Sequence, residues 1–196
     1  MQQRQIGLTG GIASGKSTVG HLLEAQGWPV LDADRYARDI LAPGSAASTA
    51  VLEKFGASVQ QQNEIATINR AALGELIFAE ATQRQWLEQL IHPLVRQRFE
   101  QELAARSAEP IVVLMVPLLF EANLTTLCTE IWLVDCDEKQ QLTRMIQRDG
   151  LPEAEAKQRI ACQWPLAQKR PYADQIIDNR GSKEHLIAQV NVLAKA

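Results

Sequence analysis

Two hydrophobic rhythms alternate along the chain. Short continuous apolar runs at 6–9, 29–31, 111–116, 131–134 and 175–177 predict strands. Those at 111–116 and 131–134 are near-unbroken Val, Ile and Leu, the pattern of strands covered on both faces. Between the runs, apolar residues recur at helical spacing. Val19, Leu22 and Leu23 mark a helix over 18–26, and Leu142, Met145 and Ile146 mark another over 138–147. Ser182 predicts an N-cap for a last helix over 182–194, with His185, Leu186 and Val190 following at helical spacing. This alternation predicts an α/β fold, a parallel sheet with crossover helices.

From Asp34 to Pro110 the strand rhythm stops. Helices are expected over 35–41, 48–55, 70–78, 82–91 and 93–105, with Asn69 and Thr82 as N-caps and Pro93 in a first turn. Such a stretch between two core strands is too long for a loop. It reads as a helical subdomain over the carboxyl edge of the sheet, where a second substrate would bind. A second insertion near 151–172 sets Pro152, Pro165 and Pro171 around a helix rich in Glu, Lys and Arg, and resembles a mobile lid. The expected division of this single domain is a core of 1–34, 108–147 and 173–196, an insertion of about 35–107 and a lid of about 148–172.

The first candidate chemistry follows the first strand directly. Gly10-Gly11-Ile12-Ala13-Ser14-Gly15-Lys16-Ser17 fits the phosphate-binding pattern G-x-x-x-x-G-K-[ST], between a strand and a helix as the pattern requires. Backbone N–H groups and a helix N-terminus favour an anion there. Lys16 would reach the β- and γ-phosphates of a nucleotide, and the Ser17 hydroxyl would ligate Mg²⁺.

Composition acts mainly by exclusion. The chain is 46% hydrophobic and 22% charged, an ordinary soluble profile, and its net charge of −3 predicts neither a nucleic-acid partner nor a membrane surface. The longest apolar run, 111–120, is too short to span a bilayer and is broken by Pro117. Cys128, Cys136 and Cys162 lack ligand-like spacing and read as reduced packing thiols. Reduced thiols suit a cytoplasmic protein, and Met1-Gln2-Gln3-Arg4 leads into a strand rather than a signal peptide. A monomer is expected, although nothing in the sequence fixes the oligomeric state.

Carboxylates stand at the ends of the predicted strands. Asp32 and Asp34 would share a direction if strand geometry persisted. One could then hold Mg²⁺ through water and the other accept a proton from a hydroxyl. Alternatively Asp34 is a helix N-cap. Glu121 either faces the crevice or caps a turn. Asp135 ends a segment resembling Walker B, and reads as structural or as outer support for a metal. Arg144 and Arg148 share a helix face and either clamp a phosphoryl group or sit in solvent. His92 is either a packed or capping residue or part of the site. Asp178 and Asn179 either surround a purine base or make a plain turn.

Taken in order, Leu8 to Ser17, Leu31-Asp32-Ala33-Asp34, Ile68-Asn69-Arg70, Ile91-His92-Pro93, Val116-Pro117-Leu118-Leu119-Phe120-Glu121 and Ile177-Asp178-Asn179 closely resemble the dephospho-coenzyme A kinase family over essentially the whole chain. The resemblance implies ATP-dependent phosphorylation of the ribose 3′-hydroxyl of dephospho-CoA, with Mg²⁺. It implies a three-layer P-loop NTPase fold with a five-stranded parallel sheet, a helical acceptor-binding insertion and a lid. By motif, Gly11, Ile12, Ala13, Ser14, Gly15, Lys16, Ser17 and Thr18 would hold the ATP phosphates. Asp34 would be the general base, and Lys16 and Arg144 would act on the transferring group. Arg148 would contact phosphate from the lid side, and Asp178 and Asn179 would lie near adenine. Asp34, His92 and Glu121 would serve the acceptor, and Ser17 and Asp32 the metal. Many relatives have Gly where this chain has Ala13, which is compatible if Ala13 keeps φ below zero.

Two rival readings are a P-loop switch and another nucleotide kinase. A guanine-reading N-K-x-D is absent, and a switch would lack an acceptor-binding insertion. The Asp-Ala-Asp and Val-Pro-Leu-Leu-Phe-Glu segments argue against another kinase, through the resemblance.

Overall fold

The computed structural model describes residues 3–62 and 66–195; Met1, Gln2 and Ala196, used above for the leader and core boundaries, lie outside them. The chain runs β1 (Arg4–Gly10), α1 (Lys16–Glu24), β2 (Val30–Asp32), α2 (Ala33–Ile40), α3 (Ala46–Phe55), α4 (Arg70–Ala79) and α5 (Ala81–Ala105). It continues through β3 (Ile111–Met115), β4 (Glu130–Asp135), α6 (Glu138–Asp149), α7 (Glu153–Ala161), α8 (Leu166–Lys169), β5 (Gln175–Asp178) and α9 (Lys183–Leu193). All five expected strands are present. They form one parallel sheet in the order β2-β3-β1-β4-β5.

Two compact units divide the chain: one joins the segment up to Asp32 with everything from Glu100 onward, and the other is Ala33–Phe99. In the first, β1 lies at the centre of the sheet, with Ile6 opposite Val113 on one side and Glu130 on the other. Strand alternation sends Ile6, Leu8, Val113, Met115, Trp132 and Val134 to one face, where Val19 and Leu23 of α1 and Leu186 and Val190 of α9 cover them. Trp28 packs on Trp132 there, ring centroids 6.0 Å apart. A smaller cluster joins Leu133, Cys136 and Leu166 of α8. Every parallel strand therefore ends at the same edge, and the β1–α1 loop leaves from the middle of it.

In the second unit, Ser45 caps α3 by accepting from Ser48 N, and Asn69 caps α4 by accepting from Ala71 N and Ala72 N. Phe55 meets Trp86 edge-on at 5.3 Å, and Tyr36 meets Phe99 at 5.1 Å. One expectation fails here. The two helices foreseen at 82–91 and 93–105 are the single helix α5, with Pro93 inside it and no cap at Thr82. Pro93 cannot donate to the Gln89 carbonyl, a cost of about 3 kcal/mol in a helix interior. The stripe Leu87, Ile91, Val95, Phe99 and Leu103 runs straight through the proline and is buried at every position. Each such side chain contributes about 1.5–3 kcal/mol, so the stripe outweighs the proline.

Candidate active site

The loop after β1 has the shape of an anion nest. Gly15 is the N-cap of α1 at φ 99, and Ala13 stands at φ 56. Left-handed residues among right-handed ones turn successive N–H groups toward one point. Ala13 thus departs from the negative φ its side chain prefers, a conformation costing an alanine about 1–2 kcal/mol. Close neighbours enforce the shape. A Cβ on Gly15 would lie 2.1 Å from Asn179 Nδ2, and one on Gly11 would lie 2.2 Å from Gln141 Nε2. Asn179 Nδ2 donates to Ser14 O at 2.7 Å and Gln141 Nε2 to Ile12 O at 2.8 Å. Ile12 N donates to Gln163 Oε1 at 2.9 Å. Lys16 is buried at 8% exposure, whereas Ser17 and Thr18 are exposed on the first turn of α1.

Arg144, on α6, enters this neighbourhood. Its Nη2 donates to Asn179 O at 2.8 Å, and its Nη1 is buried with no hydrogen-bond partner among the described residues. Arg144 and Asn179 line a cavity of about 440 Å³ together with Gly15, Thr18 and Lys183. The structure thus brings together the loop, Arg144 and Asn179. It turns two other candidates elsewhere. Arg148 makes a two-pronged pair with Asp149, at 2.7 and 2.9 Å, in solvent. Asp178 holds the turn after β5: its carboxylate accepts from Arg180 N, Nε and Nη2. That guanidinium holds the Asp178 carboxyl at about 2, below its ordinary 3.8.

At the ends of β3 and β4, carboxylates have internal partners. Glu121 Oε1 accepts from Lys169 Nζ at 2.9 Å and from Trp164 N at 2.8 Å. Lys169 is fully buried and donates also to Pro117 O at 3.1 Å. Asp135 Oδ2 accepts from Arg170 Nε at 3.1 Å and Nη2 at 3.0 Å. The segment expected as a lid makes these contacts through Trp164, Lys169 and Arg170. Sequence inspection missed Gln141, Gln163 and Lys169, because each meets its partner across a long sequence separation with no local spacing to betray it.

Asp32 is the last residue of β2 and half-buried. The strand stops there, so Asp34 does not continue its alternation. Helix α2 begins at Ala33, which makes Asp34 an exposed first-turn residue rather than an N-cap. His92 lies half-buried within α5. Among the described residues, no three His, Cys, Asp or Glu side chains cluster as a metal cage. Nor is any helix among them long and apolar enough to cross a membrane.

A family model described as Dephospho-CoA kinase matches residues 4–185. The chain belongs to the dephospho-CoA kinase family. The dephospho-CoA kinase of Parasynechococcus marenigrum (strain WH8102) is 62% identical over 189 residues, covering 96% of this chain and 94% of that protein. Among solved structures, TT1252 from Thermus thermophilus superposes with a TM-score of 0.81 at 34% identity, covering 100% of this chain and 98% of its own. The dephospho-CoA kinase from Campylobacter jejuni shares the fold, with a TM-score of 0.70 at 24% identity and coverage of 99% and 96%. Membership in the dephospho-CoA kinase family matches the all-parallel sheet and the β1–α1 phosphate loop.

Proposed function

We propose that this chain transfers the γ-phosphoryl group of ATP to the ribose 3′-hydroxyl of dephospho-CoA, giving CoA and ADP, with the loop 11–18 as the phosphate cradle. The observation that carries this function is the inward-turned backbone at Ala13 and Gly15, in a chain matching the family model over 4–185. Phosphate oxygens would take loop N–H groups other than those of Ile12, Ser14 and Thr18, which donate within the protein, and Lys16 would neutralise the β- and γ-phosphates. Arg144 has a buried Nη1 to offer at the same end of α1, beside the cavity that would take the nucleoside. Asn179 lines that cavity while its amide holds Ser14 O. Arg148 would reach a phosphate only by leaving Asp149.

Mg²⁺ keeps much of its shell as water and phosphate oxygen, so it needs only one or two protein oxygens. The Ser17 hydroxyl and the Asp32 carboxylate are of the right kind. When bound, the ion would neutralise charge on the β- and γ-oxygens. Asp34 would accept the 3′-hydroxyl proton, its exposed carboxylate lying two positions past Asp32. His92 would serve the acceptor side. Glu121 would act through Lys169 and Trp164, which it already holds. Such a reaction asks of the protein mainly alignment and charge neutralisation.

Purified chain with ATP and Mg²⁺ should release ADP at least about a hundredfold faster when dephospho-CoA is added, with a new phosphate on the ribose 3′-oxygen by ³¹P NMR. Hydrolysis at full rate without acceptor would instead identify a P-loop ATPase switch.

A further inference from the structure

We propose that Gln163 is a positioning residue that holds the phosphate loop in its anion-binding shape, an inference resting on the loop's role as the ATP site. Ile12 has both backbone polar groups engaged by side chains remote in sequence. Its N–H goes to Gln163 Oε1 at 2.9 Å and its carbonyl receives Gln141 Nε2 at 2.8 Å. The two peptide planes on either side of Ile12 are thereby fixed. The next residue, Ala13, sits at φ 56, where an alanine does not rest unaided. Released from its bracket, Ala13 would relax to negative φ, and the N–H groups around it would swing away from their common focus.

Gln163 is itself held in place. It lies in the turn between α7 and α8, and the next backbone N–H, at Trp164, donates to Glu121. Glu121 pairs with the fully buried Lys169, which also donates to Pro117 O. A continuous polar chain thus runs from the loop after β3, through the 163–170 segment, to the loop after β1. Gln141 and Gln163 also line a cavity of about 470 Å³ beside Gly11. Water can enter there and replace a lost hydrogen bond, but it cannot fix the orientation of a peptide.

The test is a double-mutant cycle between Gln163 and Ala13. Gln163→Ala should weaken ADP binding, measured by calorimetry, about threefold to tenfold, the range for one neutral hydrogen bond. The KM for ATP should rise by the same factor, with the KM for dephospho-CoA within about twofold of the parent. Gln163→Met, of similar volume but with only a weakly accepting thioether in place of the amide oxygen, should behave alike. In an Ala13→Gly background, where φ 56 carries no strain, Gln163→Ala should change ADP binding by less than about twofold. Equal factors in the two backgrounds, or unchanged ADP affinity in both Gln163 variants, would overturn the proposal. A parent chain that binds ADP but leaves dephospho-CoA untouched would instead count against the acceptor assignment, and the ADP cycle would still decide the role of Gln163.

Discussion

Asp34 occupies an exposed position in the first turn of α2, where the helix dipole favours a carboxylate and nothing buries it. Its replacement should therefore cost chemistry rather than folding. Asp34→Asn is expected to lower kcat at least about a hundredfold, the lower range for a lost general base, with the KM for ATP and the melting temperature little changed. Loss of stability without loss of kcat would assign it to the helix end instead. Asp178 behaves oppositely. Arg180 holds its folded-state pKa at about 2, against an ordinary 3.8. The pair therefore contributes stability above about pH 4 and loses it as pH falls through about 2. Arg180→Ala should melt below the parent at pH 7, by a small margin because both side chains are open to solvent, and the gap should close between pH 4 and pH 2. At this scale the loop between β1 and α1 was legible because its residues are contiguous and their spacing marks where strand gives way to helix. Gln163 and the left-handed Ala13 were not, because neighbours distant in sequence impose them.

Elements follow local pattern where burial is uniform. The strands were legible because a parallel sheet covered on both faces demands continuous apolar runs. Pro93 misled because the rule that proline ends a helix is local, while the stripe from Leu87 to Leu103 is a tertiary demand that outweighs it. The 163–170 segment carries a contact that its prolines and charges do not announce: a buried ion pair joins Lys169 to Glu121. Lys169→Met should destabilise the protein by about 3–5 kcal/mol in urea titration, because Glu121 then keeps a charge with no counter-ion. Adding Glu121→Gln should restore part of that loss. If the single substitution leaves the urea midpoint unchanged, the pair is not what anchors α8.

For the whole molecule, fold class and parallel pairing were legible, whereas the strand order β2-β3-β1-β4-β5 was not, since pairings between remote segments leave no local mark. That order also sets a timetable. β1 precedes the other strands and stands in the middle, but both its neighbours come far later: Arg4 pairs with Ile111 and Gly10 with Val134. A ribosome-bound chain that has emerged only as far as α5 therefore has its nucleotide signature in full and no scaffold on which to shape it. Closing such distant contacts is slow. β1 becomes a central strand only late in synthesis, when β3 and β4 have been made and come to flank it.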